Sequence, residues 1–258
     1  LLIKYTSHNF LYSIGWRIPF VVGILLAIIG IFLRRIAEET PAFIEVKKLN
    51  LIKAVPFLTV IKEYKQEVII GILASLILFS IATVFHLFLP SLLVNFYHIS
   101  LDQASNISSL GALTSALSTF VFAYLYTNYN ANLILRIFLT LLLLLFILIV
   151  TKIINLEVIL TQKIYLYYLI TVIVSFALAS EVMVYDWLYK LFPTNVKVTG
   201  IGVCFNFASI LGGGLTPLWS SYIMNKTHNI NIIIDVCIFF VLNPLIISLI
   251  IQKFTKFK

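Results

Sequence analysis

Apolar residues in this 258-residue chain run in long unbroken stretches and do not alternate with polar ones. A half-buried or barrel strand alternates with period two, whereas a continuous apolar run of about 20 residues suits a helix crossing the hydrocarbon of a bilayer. Seven such stretches can be drawn: Ile14–Leu33, Val68–Leu93, Ile107–Tyr126, Leu133–Ile154, Ile164–Tyr185, Val198–Ile223 and Ile232–Ile251. With no water to pair backbone N–H and C=O groups there, continuous runs imply helices. The pattern predicts an all-α polytopic membrane protein with seven transmembrane helices. The first stretch lacks the short basic start and small-residue cleavage site of a secretory signal, so it counts as a span. An odd number of spans, and a chain opening on Leu1, predict that further spans precede it.

Composition agrees. Hydrophobic residues make up 61% of the chain and charged ones 11%, which excludes an ordinary soluble domain. The net charge of +8 is concentrated in connections. Thirteen of the 18 Lys and Arg residues fall on one side of the spans, including Arg34, Arg35, Lys47, Lys48, Lys190 and Lys253; the other side has only Lys4, Arg17, Lys152, Lys163 and Lys226. Basic loops stay cytoplasmic, so the amino-terminus is expected outside and the carboxy-terminus on the cytoplasmic side of the membrane. No basic stripe interleaved with aromatics points to nucleic acid. Cys204 and Cys237 lie inside spans without ligand or disulfide spacing, and none of His8, His86, His98 and His228 has a partner at i+4. No metal or cofactor is expected. Without a nucleophile–base pair or phosphate loop, neither is an enzyme.

An ionisable residue inside a span is a candidate for the solute or proton path. Glu181 and Asp186 stand near the cytoplasmic end of the fifth span, five residues apart and therefore turned away from one another. Glu181 can be a protonatable group in a wet cavity or an interfacial carboxylate paired with a basic loop. For Asp186 the interfacial reading is the simpler one. His86, four residues before Pro90, can relay a proton or pack as a hydrogen-bonded core histidine.

Small residues recur every fourth position in two spans: Gly200, Cys204, Ala208, Gly212, Thr216 and Ser220 in the sixth, and Gly111, Ser115, Thr119 and Ala123 in the third. Such stripes let helix backbones approach closely. One reading is a tight contact within a single bundle; the other is a sliding interface against a second bundle, leaving an exposed smooth groove. Both striped spans are the second of three when the chain is divided into one leading span and two triplets. Three spans separate them, so equivalent helices run in opposite directions, as inverted three-helix repeats require.

Two blocks go beyond composition. Gly15, Trp16, Arg17, Ile18, Pro19 and Phe20 open the first span, and Glu38, Glu39, Thr40, Pro41, Ala42 and Phe43 follow it. This pair resembles the metabolite:proton symporters of the major facilitator superfamily, particularly the proline/betaine transporter group. Phe88 to Leu93 resemble the end of that family's seventh helix. Leu191, Phe192, Pro193 and Thr194, with Thr199 and Gly200, resemble its L-F-P-T segment, and Asn206 with Gly213, Gly214 and Pro217 matches its eleventh helix. The resemblance implies residues 1–33 as the last helix of an otherwise missing amino-terminal half. It makes residues 34–67 the central cytoplasmic loop and residues 68–258 a six-helix carboxy-terminal half-bundle of two inverted three-helix repeats. It adds Asn206 to the path candidates and implies proton-coupled uptake of a small solute by alternating access, with the bilayer and the missing half as partners. Proline- or betaine-type osmolytes come first as solutes, then organic acids. The chain departs from the family at Thr127, Asn128, Asn130, Ala131 and Asn132, which replace latch charges, and at Lys190 and Asn195. A seven-helix receptor and a remnant of a decaying transporter gene remain alternatives.

Overall fold

The computed structural model describes residues 10, 13–36, 38–50, 56–151, 153, 159, 164–179 and 182–255. These belong to two compact units, residues 1–52 and 53–258, so the stretch read as one central loop is divided between them. No strand occurs among the described residues, and seven helical segments are long and apolar enough to cross a membrane.

The first unit holds a short 3₁₀ turn, Gly15–Arg17, leading into α1 (Ile18–Ile36), and then α2 (Pro41–Lys48). Pro19 sits in the first turn of α1, where a missing N–H costs no helical bond. The Arg17 guanidinium lies 4.2 Å from the centre of the Trp16 ring and donates to the Ser13 carbonyl. Arg34 and Arg35 occupy the last turn of α1, where cations favour the helix dipole. Glu38 and Glu39 are exposed, and Thr40 is extended before Pro41 starts α2.

The second unit contains α3 (Pro56–Glu63), α4 (Lys65–Tyr97), α5 (Leu101–Asn128), α6 (Ala131–Val150), α7 (Ile164–Leu178), α8 (Val182–Leu191), α9 (Lys197–Thr227) and α10 (Asn231–Thr255). Helices α7 and α8 share the fifth span. Short connections make consecutive spans antiparallel, so Lys65, Leu191 and Lys197 lie at one end of the bundle and His98 and His228 at the other. Helix α5 begins six residues before the expected Ile107, because Ser100 caps it by accepting from the Gln103 N–H at 3.3 Å.

Helix α4 is the most buried span and packs against α9 and α10. Helix α5 packs on α7, and α6 on α10. Exchanging the triplets α4–α5–α6 and α7/α8–α9–α10 turns the α5–α7 contact into the α9–α4 contact and leaves α6–α10 unchanged. These two pairings are reciprocal, whereas the close α4–α10 packing has only a weak counterpart in α6–α7. Aromatic clusters fill the layers between helices: Phe122, Phe138 and Phe176 join α5, α6 and α7, and Phe85 stacks on Phe146 at 5.7 Å.

Helices α4 and α9 share a construction that the apolar pattern did not reveal. Each widens into six residues of π-helix, Thr83–Phe88 and Ser209–Gly214, just before a proline, Pro90 or Pro217. Proline lacks an N–H and its ring crowds the carbonyl four residues earlier, so the wider turn relieves a clash that would otherwise kink the helix. The Leu89 and Leu215 N–H groups reach back five residues, to Val84 and Ile210. Both helices end on a histidine in the left-handed conformation, His98 at φ 53° and His228 at φ 49°.

The sixth-span stripe faces into this bundle. Gly200, Cys204, Ala208, Gly212, Thr216 and Ser220 are all buried. A Cβ on Gly71 of α4 would fall 2.5 Å from Cys204 Sγ, and one on Gly212 would fall 2.6 Å from Ser80 Oγ and 3.1 Å from the Leu76 carbonyl. The exposed face of α9 carries Phe207, Ile210, Leu211, Leu215, Leu218 and Tyr222. The expectation of an exposed smooth groove on this helix is therefore corrected: its small residues are spent on backbone approach to α4, and its open face is bulky. In α5, Gly111 is buried, Ser115 half-buried, and Thr119 and Ala123 exposed.

Gly212→Ala is expected to destabilise the bundle by about 1–3 kcal/mol, because the Leu76 backbone cannot swing aside as a side chain can. Gly202→Ala, with nothing within 4 Å of the new methyl, should leave the midpoint unchanged or raise it. Thermal unfolding in detergent compares the two; equal losses would contradict the packing.

Candidate functional site

The π segment of α4 places His86 where three helices meet. Its Nε2 lies 2.9 Å from Ser175 Oγ on α7, and Ser108 Oγ on α5 donates to its backbone carbonyl at 2.7 Å. That carbonyl is the one Pro90 would otherwise crowd, four residues ahead, so a neighbouring hydroxyl satisfies the group freed by the widened turn. The imidazole lies against Gly111, where a Cβ would fall 3.0 Å from its Cδ2 and 3.0 Å from Thr171 Cγ2. Glycine at 111 is what admits the ring between α5 and α7.

On the other side of this junction a cleft of about 420 Å³ opens between α4 and α5. Its polar lining is His86, Ser91, Asn95, Ser105, Ser108 and Ser109, with Leu87 and Pro90 among its apolar walls. Asn95 donates to Ser91 Oγ at 3.2 Å. The lining has hydroxyl, amide and imidazole groups but no carboxylate, ammonium or guanidinium, so it offers hydrogen bonds without a fixed counter-charge. The serines were missed as site residues in the sequence, although Ser105, Ser108 and Ser109 recur at the i, i+3, i+4 spacing of one helix face.

The other path candidates lie elsewhere. Asp186 on α8 pairs with Lys190 one turn on, at 2.6 Å, and the Tyr126 phenol on α5 hydrogen-bonds its carboxylate. It is joined to its own helix and to α5 near the Lys65/Lys197 end, far along the bundle from His86. Asn206 is exposed and donates to the Gly202 carbonyl at 2.7 Å within α9. Glu181 lies outside the described residues. Phe192 is buried beneath Gly200, where a Cβ would fall 2.6 Å from the ring; Pro193 and Thr194 follow it in the α8–α9 turn. At the α5–α6 turn, Thr127 and Asn128 bond back to the Tyr124 carbonyl, each at 2.8 Å. Asn130 caps α6 through the Leu133 N–H at 3.2 Å. These residues finish and start helices; they carry no charge across the turn.

The sequence profile of the Major Facilitator Superfamily matches residues 7–217. This chain belongs to that superfamily. Over 235 residues it is 26% identical to a Staphylococcus haemolyticus protein whose name marks it as a candidate proline/betaine transporter, covering 89% of this chain and 48% of that one. A Staphylococcus aureus protein of the same name is 28% identical over 218 residues, 83% of this chain and 45% of its own length. The Escherichia coli inner membrane metabolite transport protein YhjE is 34% identical over 83 residues, 31% of this chain and 19% of its own. The chain spans about half the length of the Staphylococcus relatives. No solved structure matches it. The π-widened α4, the cleft beside it and the buried stripe of α9 are thus features of a major facilitator bundle.

Ser175→Ala is expected to cost about 0.6 kcal/mol, the average for an interhelical bond in a membrane protein, and Ser108→Ala up to about 1.7 kcal/mol. Losing Ser108 strands a backbone carbonyl, whereas His86 can seek another partner. Reversible unfolding in mixed micelles ranks the two, and the opposite order would show that the His86 carbonyl is satisfied in another way.

Proposed function

We propose that this chain is the carboxy-terminal portion of a proton-coupled symporter for a small zwitterionic solute of the proline or betaine type. The observation that carries the reading is the extended match to proteins about twice its length whose names mark them as candidate proline/betaine transporters. On this reading residues 1–33 are the last helix of an amino-terminal half, residues 34–67 the central cytoplasmic loop and residues 68–258 the second half. The Lys65/Lys197 end then faces the cytoplasm, in keeping with the distribution of Lys and Arg.

The His86 junction supports the coupling part of the proposal. Imidazole is the side chain whose ordinary titration lies nearest neutrality. A neutral ring with its proton on Nδ1 accepts from Ser175, whereas a protonated ring must donate to it. From that tautomer, proton binding reverses one interhelical hydrogen bond between α4 and α7 while Ser108 continues to hold the backbone. A proton shifts a transport cycle only through such a difference between states. The adjoining cleft offers hydroxyl and amide groups for a carboxylate or a ring nitrogen. Its lining has no Trp, Tyr or Phe ring to hold a quaternary ammonium, so that part of the solute would be recognised by the other half.

Proteoliposomes containing only the 258-residue chain are expected to show no proline or betaine uptake driven by a pH gradient beyond that of empty vesicles. The polypeptide carrying the preceding spans in frame should show it, and His86→Ala in that protein should abolish the stimulation by the gradient while leaving solute exchange. Gradient-driven uptake by the short chain would refute the half-transporter reading, and full stimulation in His86→Ala would refute the histidine's part.

A further inference from the structure

At the Lys65/Lys197 end, opposite the histidine cleft, a cavity of about 620 Å³ lies where α4 begins, α8 ends and α9 begins. Its size is within the range of small-ligand sites. Phe192 and Pro193 provide apolar wall; the polar lining is Tyr64, Tyr189, Lys190, Thr194 and Lys197. Phe192 is fixed by burial beneath Gly200 and by an edge-on contact with Tyr64 at 6.3 Å.

We propose that Lys190 and Lys197, with the Tyr64 and Thr194 hydroxyls, form a binding site for a phosphate group at this end of the bundle. The two ammonium groups are held differently. Lys197 Nζ lies 3.6 Å from the centre of the Tyr189 ring, which orients it without neutralising it. Lys190 is bound to Asp186 at 2.6 Å, and its side chain remains 53% exposed. Asp186, Lys190 and Lys197 together carry one net positive charge, the complement of one phosphodiester. Glu63 and Glu67 flank Tyr64, with Lys62 and Lys65 beside them in sequence, and none of these four lines the cavity. Burial first, then these two carboxylates, push the Tyr64 phenol above its ordinary range, so it remains an O–H group at neutral pH. Ammonium and hydroxyl donors around an anion make the stronger, charge-assisted kind of hydrogen bond. The first turn of α9 has no side-chain cap at Val196, which leaves positive dipole at the same mouth.

The cavity lies at the ends of spans, the level at which a bilayer would present its headgroups, and is open to solvent. The phosphate can therefore belong to an anionic lipid or be free. The site is independent of the transport reading, since it needs only the bundle and the bilayer.

The 258-residue chain in neutral detergent is titrated separately with short-chain phosphatidylglycerol, phosphatidylcholine and sodium phosphate. Native mass spectrometry counts bound ligand, and thermal shift follows stability. One saturable site is expected for a phosphate-bearing anion, weakened by about tenfold or more in Lys190→Gln/Lys197→Gln and unchanged in Lys47→Gln/Lys48→Gln. Binding of phosphatidylglycerol alone assigns the site to a lipid headgroup, and binding of sodium phosphate as well assigns it to the free anion; either supports the proposal. Equal binding in the cavity variant and the wild type overturns it, as does an equal loss in the Lys47/Lys48 control or phosphatidylcholine binding as tightly as phosphatidylglycerol. If the double variant does not fold, Lys190→Gln alone, on a half-exposed side chain, must weaken binding for the proposal to stand.

Discussion

A backbone carbonyl in hydrocarbon has no water to turn to, and the second unit is organised around that constraint. Pro90 and Pro217 each remove a donor from a spanning helix and crowd a carbonyl one turn earlier. In both α4 and α9 the helix widens to π geometry and i+5 bonds replace i+4 bonds. Ser108 serves the His86 carbonyl, four residues before Pro90, from a neighbouring helix, and Thr216 serves the Gly212 carbonyl, five residues before Pro217, from its own. A widened turn also displaces side chains around the helix axis. At α4 this displacement sets the imidazole of His86 against Gly111 and Ser175.

The same constraint explains where the small residues go. Two π-widened helices can lie side by side only if bulk is removed between them, and Gly71, Cys204, Ala208 and Gly212 do this. The Ser80 hydroxyl beneath Gly212 is fully buried and has no hydrogen-bond partner among the described residues. Ser220 Oγ, at the end of the same stripe, is likewise buried without a partner, so close backbone approach is secured at the expense of two hydroxyls.

The seven spans were legible in the sequence because hydrophobic length is a one-dimensional signal, and the family because several short blocks occur in order. The partner of a stripe was not. Gly200 to Ser220 declare that a backbone comes close but contain nothing that names which one, and the second triplet's stripe turned inward to α4. The π segments were hidden for a similar reason: a proline at position 90 announces a perturbed turn, but kinking, unwinding and widening share that signal. Ser108 and Ser175 gain their meaning from His86, residues away in sequence and adjacent only after folding. The two-residue departures at Thr127 and Asn128 read as lost charges in the sequence; in the fold they are helix-ending hydrogen bonds.

Among the described residues, charge lies near the ends of the bundle or is hydrogen-bonded where it enters. Arg136, inside α6, bonds to Ser248 on α10 through Nε at 3.0 Å and to the Ser248 carbonyl. Asp186 is held by Lys190 and Tyr126. Among the described residues that line the cleft, what remains is neutral: hydroxyls, one amide and one imidazole. A neutral lining around a single titratable ring has a mechanical consequence. The only local charge that can appear there by protonation among the described groups of the cleft is on His86, and it appears at the junction of α4, α5 and α7. Helix α4 continues unbroken from that junction to Lys65, packed along α9 by backbone approach. A change in the His86–Ser175 bond would therefore act on a stiff pair of helices and not on one loop.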